Sequence, residues 1–275
     1  MSRPRLGVVT VVHGRHDHLQ AQEQSLRAAL GEDDVRVRVA LDDPDLPERP
    51  GSSSTAHDLD VPLETTPAGL PVAAARNLGA RTALEHGAEA LVFLDVDCLV
   101  APGALSAYAE AVTAASDVVW CGPVTYLAEA DRPYPLDDLA RLDAPHPARP
   151  APAPGERLLD ERWELFWSLS FALSAEAWRR TGGFDEAYVG YGAEDTDLGQ
   201  RAAAAGLRLG WEGSARAYHQ HHPTRRPPVQ HLDDIVRNAR LFHDRWGWWP
   251  MSGWLDAFAG LGLAAHDDDG WRVVA

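Results

Sequence analysis

Short apolar runs recur along the first half of the chain, separated by longer amphipathic stretches. The runs are rich in valine, leucine and alanine, as strands buried on both faces of a parallel sheet require. They lie over residues 6–12, 35–41, 88–94 and 117–122. Helices are predicted in the intervals, over residues 17–30 and 72–86 and from residue 102 onwards. This alternation predicts an α/β fold in which helices flank a mostly parallel sheet.

The second half of the chain is less regular and predicts a smaller carboxyl-terminal part. Residues 165–174 are strand-like and lead into a short helix over 175–181. Further helices are predicted over 194–205, where Gly206 provides a stop, and over 232–246. The aromatic tail that follows is expected to fold back onto the domain.

Two long segments are rich in proline and small polar residues, which is typical of loops. Residues 44–69 predict a loop with one short strand near 59–63. Residues 128–155 predict a second loop, which is expected to become ordered only with a partner.

Composition narrows the classes of partner. The 275 residues are 45% hydrophobic and 24% charged, which is ordinary for a globular protein, and the formal net charge is −16. Nucleic acids and anionic membranes attract clustered positive charge, so neither is the expected main partner. The 25 basic residues are all arginine, as a GC-rich bacterial genome would produce. Cys98 and Cys121 lie in apolar runs and predict buried free thiols.

Targeting signals are not evident in the sequence. The chain begins directly with a strand pattern, and no apolar run approaches the ~18 residues of a membrane span. We therefore predict a cytoplasmic protein without an integral membrane segment. Peripheral work at a membrane stays open.

Polar residues follow several predicted strands directly. His13, Asp42, Asp95 and Asp97 all occupy strand carboxyl ends, where open α/β sheets bind their ligands. Two acids separated by one residue, as in FLDVDCLV, can hold a hard divalent cation that bridges a diphosphate. A solvated turn is the alternative, but the apolar neighbours and the position at the sheet edge favour a metal site.

The motif YHQHHP provides imidazole groups that can join such a site. If the strand pattern continues through the motif, His219 and His221 share one face and His222 points away. We favour His219 over His221 as the metal ligand.

The stretch GYGAEDTDLGQR concentrates acidic residues in one predicted first helical turn. Glu194, Asp195 and Asp197 would interact favourably with the positive end of the helix dipole, which is one sufficient reason for their presence. The same helix end is expected to keep Asp195 ionised. The dipole does not explain the glycine–tyrosine–glycine run that precedes the acids.

Taken in order, these motifs resemble a known enzyme family. VVTVVHGR, LDDPD, PVAAARNLGAR, LVFLDVDCLV, GGFDEAYVGYGAEDTDLGQRAAAAG and AYHQHHP resemble family 2 nucleotide-sugar glycosyltransferases of GT-A fold. The second half is similar to the galactosyltransferase-type carboxyl-terminal domain. The resemblance implies a nucleotide-sugar-binding half over residues 1–125 and an acceptor-binding half over 126–275 of the same GT-A domain.

The resemblance also implies roles for individual residues. The metal ligands would be Asp95, Asp97, as the direct ligand, and His219. Residues that line the nucleotide would be Thr10, His13, Arg15, Asp42, Arg76, Asp95 and Arg225. Asp195 would be the catalytic base, with Glu194 orienting the site or binding the acceptor. The acceptor itself would meet Trp167, Tyr191 and Gly192. His13-Gly14 and Ala193 depart from the family pattern.

The expected activity is metal-dependent, inverting transfer of a hexose from a nucleotide-sugar, such as a UDP-hexose, to an acceptor hydroxyl. The expected cation is Mn²⁺ or Mg²⁺. A non-catalytic sugar-binding protein is one alternative. A sugar-1-phosphate nucleotidyltransferase is another, but that chemistry requires a glycine-rich basic loop after the first strand, and VHGRHDH is not one. The sequence identifies neither the acceptor nor the oligomeric state.

Overall fold

A computed structural model describes residues 3–48 and 57–274 of the chain. The strands are β1 (Leu6–Val12), β2 (Val35–Leu41), β3 (Asp58–Leu63), β4 (Ala90–Leu94), β5 (Cys98–Val100), β6 (Val118–Cys121), β7 (Val124–Tyr126), β8 (Arg157–Asp160), β9 (Ser170–Ser174), β10 (Arg208–Glu212), β11 (Ala217–His219), β12 (Ala264–Asp267) and β13 (Gly270–Val273). The α-helices are α1 (His16–Arg27), α2 (Val72–Glu85), α3 (Ala104–Ala114), α4 (Ala175–Thr181), α5 (Glu194–Ala204), α6 (Leu232–Trp246) and α7 (Ser252–Gly260).

Eight of the described strands form one large sheet, in the order β3-β2-β1-β4-β9-β6-β10-β8. Strands β1 to β4 run parallel to one another, as do β6 and β10, whereas β9 is antiparallel to both of its neighbours. The prediction of a mostly parallel sheet flanked by helices is confirmed. Of the strand-like residues 165–174, only Ser170–Ser174 form a strand, because only these pair with β4 and β6.

Helix α2 packs closely onto this sheet. A Cβ atom added at Gly79 would lie 2.4 Å from Cγ1 of Val9, so a larger side chain would push the helix away. Ala73, Ala80 and Ala83 are also buried on α2. This close packing brings Arg76, which is on the same helix, over the carboxyl ends of the central strands.

A smaller sheet, in the order β5-β11-β7, extends the ligand edge of the large one. In its register, His219 lies opposite both Cys98 and Tyr126. The backbone N–H of Gln220 also donates to the carbonyl of Asp97, at 2.7 Å. Residues separated by about 120 positions in the chain therefore meet at one point.

The segment over 128–155 is ordered by the protein's own contacts, which corrects the expectation that it needs a partner. It contains two 3-10 helices, Glu129–Asp131 and Leu136–Leu142. Leu139 is buried in a small apolar cluster that also contains Tyr218. In the other predicted loop, over 44–69, the expected short strand is confirmed as β3, and residues 49–56 lie outside the described part of the chain.

The tail folds back as expected, because α7 and the β12–β13 hairpin pack against α6 through a separate apolar cluster. Helix α1 ends at Arg27, three residues before the predicted end. Cys98 and Cys121 are buried free thiols, as predicted. Across residues 3–48 and 57–274, no helix combines the length and apolar character that a membrane crossing needs.

Candidate functional site

Asp97 lies at the centre of a group of polar side chains where the two sheets meet. Its Oδ1 is 2.6 Å from Nδ1 of His18 and 3.2 Å from a guanidinium nitrogen of Arg15. Its Oδ2 is 3.5 Å from Nε2 of His222. His219 completes the group, with its ring centroid 5.3 Å from that of His222.

Within the described residues, Asp97, His219 and His222 form a set that can bind a metal ion, with one ligand atom from each within 4.8 Å of the others. Burial is the main cause that lowers the pKa of His219 to about 4, and it also lowers the pKa of His222. Both imidazoles are therefore neutral at pH 7 with a lone pair to donate, and a carboxylate with two imidazoles suits a Mn²⁺-type ion. The residues present fit such an ion.

The structure corrects one expectation about the histidine motif, namely which histidines share a face. Strand β11 ends at His219, so the alternation of strand faces does not continue to the later histidines. The chain turns instead, and His222 rather than His221 comes close to Asp97. The backbone N–H of His221 donates to the Tyr134 hydroxyl at 3.0 Å.

Arg76 links two acids on the other side of the cleft. Its guanidinium contacts Asp95 at 2.9 Å and Glu194 at 3.0 Å, and its side chain is only 8% exposed. Asp95 therefore belongs to this ion-pair network, and the role as a metal ligand that the resemblance implied for it stays a prediction. Arg76 is buried and holds the two acids together, and the contact with a nucleotide that the resemblance implied stays a prediction.

Asp195 faces this network with its charge only partly balanced. Its Oδ1 accepts the backbone N–H of Thr196 at 2.7 Å. Burial and the adjacent Glu194 carboxylate nevertheless raise the pKa of Asp195 to about 7, and Arg76 opposes them. The positive helix end does not outweigh these two effects, which corrects the expectation that it keeps Asp195 fully ionised. Near neutral pH this group can both take and release a proton.

Asp197, two residues further along α5, has a structural role. It is fully buried, and its Oδ1 accepts hydrogen bonds from Arg245 at 2.8 Å, the Trp246 indole at 2.8 Å and the Tyr188 hydroxyl at 3.2 Å. It thus fastens the acidic turn to the end of α6. The three acids of this turn divide into two that face the cleft and one that anchors it.

The glycine–tyrosine–glycine run is clamped by α6. The Asn238 side-chain amide donates to the carbonyls of Val189, Tyr191 and Gly192 at 3.0 to 3.3 Å. Gly192 has φ of 97°, and a Cβ at Gly190 (φ 75°) would lie 2.2 Å from the Asp234 carboxylate, so glycine is required at both positions. The clamp presents Tyr191 outwards, 43% exposed and stacked on the His231 ring at 4.5 Å.

The exposed ring of Tyr191 is close enough to the acids for their charges to act on its hydroxyl. Burial of its hydroxyl end, together with the charges of Glu194, Asp195 and Asp95, raises its pKa to about 12. The aromatic ring expected to contact an acceptor therefore lies beside the candidate base.

A second set of rings packs against His219, and we call it the aromatic wall: Tyr126, His146 and Trp167. Tyr126 stacks on His219 at 4.7 Å, His146 lies 5.5 Å from Tyr126, and Trp167 lies 5.2 Å from His146. Behind the wall, the buried guanidinium of Arg149 is held between the rings of Trp167, at 5.2 Å, and Trp211, at 4.8 Å. Tyr126, His146 and Arg149 were not expected from the sequence, because none of them lies in a recognisable motif.

Known proteins share this architecture. Residues 159–230, which carry both the acidic turn and the histidine motif, match the family described as the N-terminal domain of galactosyltransferase. GalNAc-T7, solved with UDP, GalNAc and Mn²⁺, superposes with a TM-score of 0.58 at 14% identity, over 89% of this chain and 49% of that chain. This chain has the GT-A glycosyltransferase fold. The resemblance to GT-A glycosyltransferases that the motifs indicated is confirmed.

Other relatives agree with the GT-A fold. Residues 1–349 of TarS from S. aureus superpose with a TM-score of 0.56 at 13% identity, over 87% of this chain and 65% of that one. Two validoxylamine A glucosyltransferases, from Streptomyces hygroscopicus subsp. jinggangensis (strain 5008) and subsp. limoneus, are each 33% identical over 159 residues. The match covers 51% of this chain but only 37% and 34% of the lengths of the two relatives.

The GT-A sheet also places the residues predicted to line a nucleotide. His13 and Asp42 follow β1 and β2 and are exposed at the ligand edge, where Nδ1 of His13 lies 2.8 Å from the carbonyl of Leu41. Arg15 reaches Asp97, and Arg225 is exposed in the loop after β11.

Thr10 differs from the other four. It is buried, and its hydroxyl donates to Gln22 at 3.2 Å. Gln22 in turn donates to the carbonyls of Asp95 and Cys98, so Thr10 supports the acid-bearing turn from behind and does not face the cleft.

Proposed function

We propose that this protein is a metal-dependent glycosyltransferase that transfers a hexose from a nucleotide-sugar to an acceptor hydroxyl with inversion at the anomeric carbon. The fold, the family match and the glucosyltransferase relatives support transfer of a sugar. The observation that carries the proposal is Asp195, a carboxylate with a pKa raised to about 7 at the ligand edge of a GT-A sheet.

Asp195 is the base in this proposal. Its ionised form accepts the proton of the acceptor hydroxyl while that oxygen attacks the anomeric carbon of the donor. The bond from that carbon to the nucleoside diphosphate breaks, and the diphosphate leaves with the bonding electrons. Attack from the face opposite the leaving group inverts the configuration. Arg76 and Glu194 hold the base in position, with Glu194 keeping its pKa close to the working pH.

Asp97, His219 and His222 are the residues that would hold Mn²⁺ or Mg²⁺. When bound, the ion neutralises charge that develops on the departing diphosphate. Arg15, His13 and Asp42 surround the same edge and would contact the nucleotide. The UDP and Mn²⁺ in the GalNAc-T7 structure favour a UDP-sugar and Mn²⁺.

The acceptor site in this proposal lies between Tyr191 and the aromatic wall. Sugar rings present apolar C–H faces that stack on aromatic side chains, and Tyr191 and the aromatic wall both supply such side chains. Gly192 would allow the acceptor to approach the backbone closely, since it carries no side chain. Residues 1–125 would thus bind the nucleotide-sugar and residues 126–275 the acceptor.

The test measures nucleoside diphosphate release with UDP-glucose, UDP-galactose, UDP-N-acetylgalactosamine, GDP-glucose and dTDP-glucose. Each donor is supplied with Mn²⁺ and a panel of hydroxyl acceptors that includes validoxylamine A, because the relatives are named for it. We expect acceptor-dependent release that Asp195→Asn lowers by about 10²- to 10⁴-fold without changing the thermal shift caused by nucleotide and Mn²⁺.

Asp233→Asn is the matched control. Asp233 also lies in the first turn of a helix but is exposed. Full transfer by Asp195→Asn would contradict the role of Asp195. Metal-dependent nucleotide binding without transfer to any acceptor or to water would favour the non-catalytic alternative. The anomeric coupling constant of the product, measured by NMR, tests inversion separately.

A further inference from the structure

His18 is a histidine of the Asp97 group that lies outside the proposed set of metal ligands. It lies in the first turn of α1, and its side chain is 14% exposed. Its Nδ1 is 2.6 Å from Oδ1 of Asp97, the shortest contact to that carboxylate. The other oxygen, Oδ2, faces His222. One oxygen of Asp97 is thus held by the protein, and the other is left for a cation.

Arg132 fixes which nitrogen of His18 carries the proton. A guanidinium nitrogen of Arg132 lies 3.2 Å from Nε2 of His18. Because a guanidinium only donates hydrogen bonds, Nε2 must accept. The proton of the neutral imidazole is then on Nδ1, and Nδ1 donates it to Oδ1 of Asp97.

Two residues that contact His18, Arg132 and Gln220, connect it to the end of β11. The guanidinium of Arg132 also donates to the carbonyl of His221 and to the Tyr134 hydroxyl. The Gln220 side chain, which is buried, donates to the backbone carbonyl of His18 at 3.0 Å. The position of His18 is therefore set by the same strand end that carries His219 and His222.

We propose that His18 is a positioning residue for the metal site, which orients Asp97 by donating from Nδ1 and is itself held in one tautomer by Arg132. The inference rests on the proposed metal ligands Asp97, His219 and His222. Arg15 also contacts Oδ1, but at 3.2 Å rather than 2.6 Å, so it is the weaker partner of that oxygen. Hydrogen bonds that orient a metal ligand typically change metal affinity by about 10- to 100-fold.

The experiment titrates the full chain with Mn²⁺ alone and measures free Mn²⁺ by electron paramagnetic resonance. His18→Phe keeps a ring of similar shape but removes both nitrogens, and we expect the dissociation constant to rise by about 10- to 100-fold. His18→Asn places an amide N–H close to the position of Nδ1. We expect it to recover most of the affinity, which a loss of packing alone would not allow.

His16 provides a matched control on the same helical turn. Its Nε2 contacts both oxygens of Asp43, at 2.9 and 3.0 Å, so His16→Phe also removes a histidine–aspartate pair. We expect its Mn²⁺ affinity to stay within about twofold of the unmodified protein, because Asp43 lies outside the metal ligand set. Thermal unfolding of each variant reports whether it is folded.

Arg132→Gln tests the second step and avoids a buried substitution, since Arg132 is exposed. We expect a smaller loss of affinity and a change in the ¹⁵N chemical shifts of His18 that marks a mixture of tautomers. Should His18→Phe not fold, this variant still decides the question.

Unchanged Mn²⁺ affinity in His18→Phe, or in Arg132→Gln if that variant alone folds, would overturn the inference. Equal losses in the His16 and His18 variants, or no recovery in His18→Asn, would also overturn it. Absence of Mn²⁺ binding to the unmodified protein would instead overturn the metal ligand set, and the inference with it.

Discussion

Asp97 and Asp195 are carboxylates of the same cleft with opposite surroundings. Asp97 is met by nitrogen groups, with Arg15 and His18 on one oxygen and His222 near the other. Asp195 faces Glu194, and burial together with that like charge raises its pKa to about 7. One carboxylate is held by nitrogen groups in a place where a cation can join it. The other is held where its negative charge is costly, so that it readily takes up a proton.

This contrast shows how one residue type serves two purposes within a single site. The difference comes from the neighbours that the fold supplies. Asp97 stands at the junction of the two sheets, among histidines from α1 and β11. Asp195 stands at the start of α5, beside another acid, and Arg76, which opposes the rise of its pKa, is already engaged by Glu194 and Asp95.

Asp197 sharpens the contrast, because it lies on the same turn as Asp195 and acts only as an anchor. We expect Asp197→Ala to lower the free energy of unfolding by about 3 to 5 kcal/mol, since Trp246 and Tyr188 lose their buried acceptor and Arg245 keeps only Asp185 as a partner. Chemical denaturation measures this loss. The control Asp233→Ala, on an exposed first turn, should change stability by less than about 0.5 kcal/mol, and a similar loss in both variants would contradict the anchoring role.

Metal affinity separates the two cleft carboxylates directly. We expect Asp97→Asn to weaken Mn²⁺ binding by at least about 100-fold, which corresponds to about 2.7 kcal/mol, because it removes the charged ligand. Asp195→Asn should leave the affinity within about twofold. Calorimetric titration with Mn²⁺ measures both, and comparable losses would show that the two acids act as one metal site.

The clamp of α6 on the glycine–tyrosine–glycine run can be loosened without touching either acid. We expect Asn238→Ala to lower the free energy of unfolding by about 2 kcal/mol, because three carbonyls lose their buried donor. Arg237→Ala is the control, since Arg237 reaches one of the same carbonyls from an exposed position and should cost less than about 1 kcal/mol. A thermal or urea melt compares them, and equal losses would argue against the clamp.

The smallest expected effect is the influence of Asp195 ionisation on the free energy of unfolding, which a change of pH reveals. The folded pKa of Asp195 is above its unfolded value near 3.9, so the contribution of this group to stability falls as the pH rises from about 4 to 7. Asp195→Asn cannot ionise, and we expect it to be about 1 to 2 kcal/mol more stable than the unmodified protein at pH 8 and nearly equal at pH 4.5. Thermal unfolding at both pH values measures the difference. A variant that is less stable at pH 8 would reverse the sign.

Local patterns in the sequence predicted the elements best. Helix α6 occupies residues 232–246 as expected, because its apolar positions repeat with helical spacing and a glycine follows its end. The acidic turn was likewise found from one contiguous motif. The histidine cluster was only half predicted, because the face that His222 presents depends on where β11 ends, and the partner strands determine that end. Tyr126 and Arg149 join the site through tertiary packing, which periodicity does not record.

The turn from Asp95 to Cys98 joins the large sheet to the small one, and a single buried amide spans it. Gln22 bonds to the carbonyl at each end of that turn, and Thr10 holds Gln22 from the central strand. The Gln22 side chain thus stabilises the junction between the two sheets. If this junction rotated, the separation of the proposed base and the proposed metal site would change even with every side chain intact. The backbone conformation of the turn from Asp95 to Cys98, which Gln22 stabilises, therefore helps to set the distance between the proposed metal site and the proposed base.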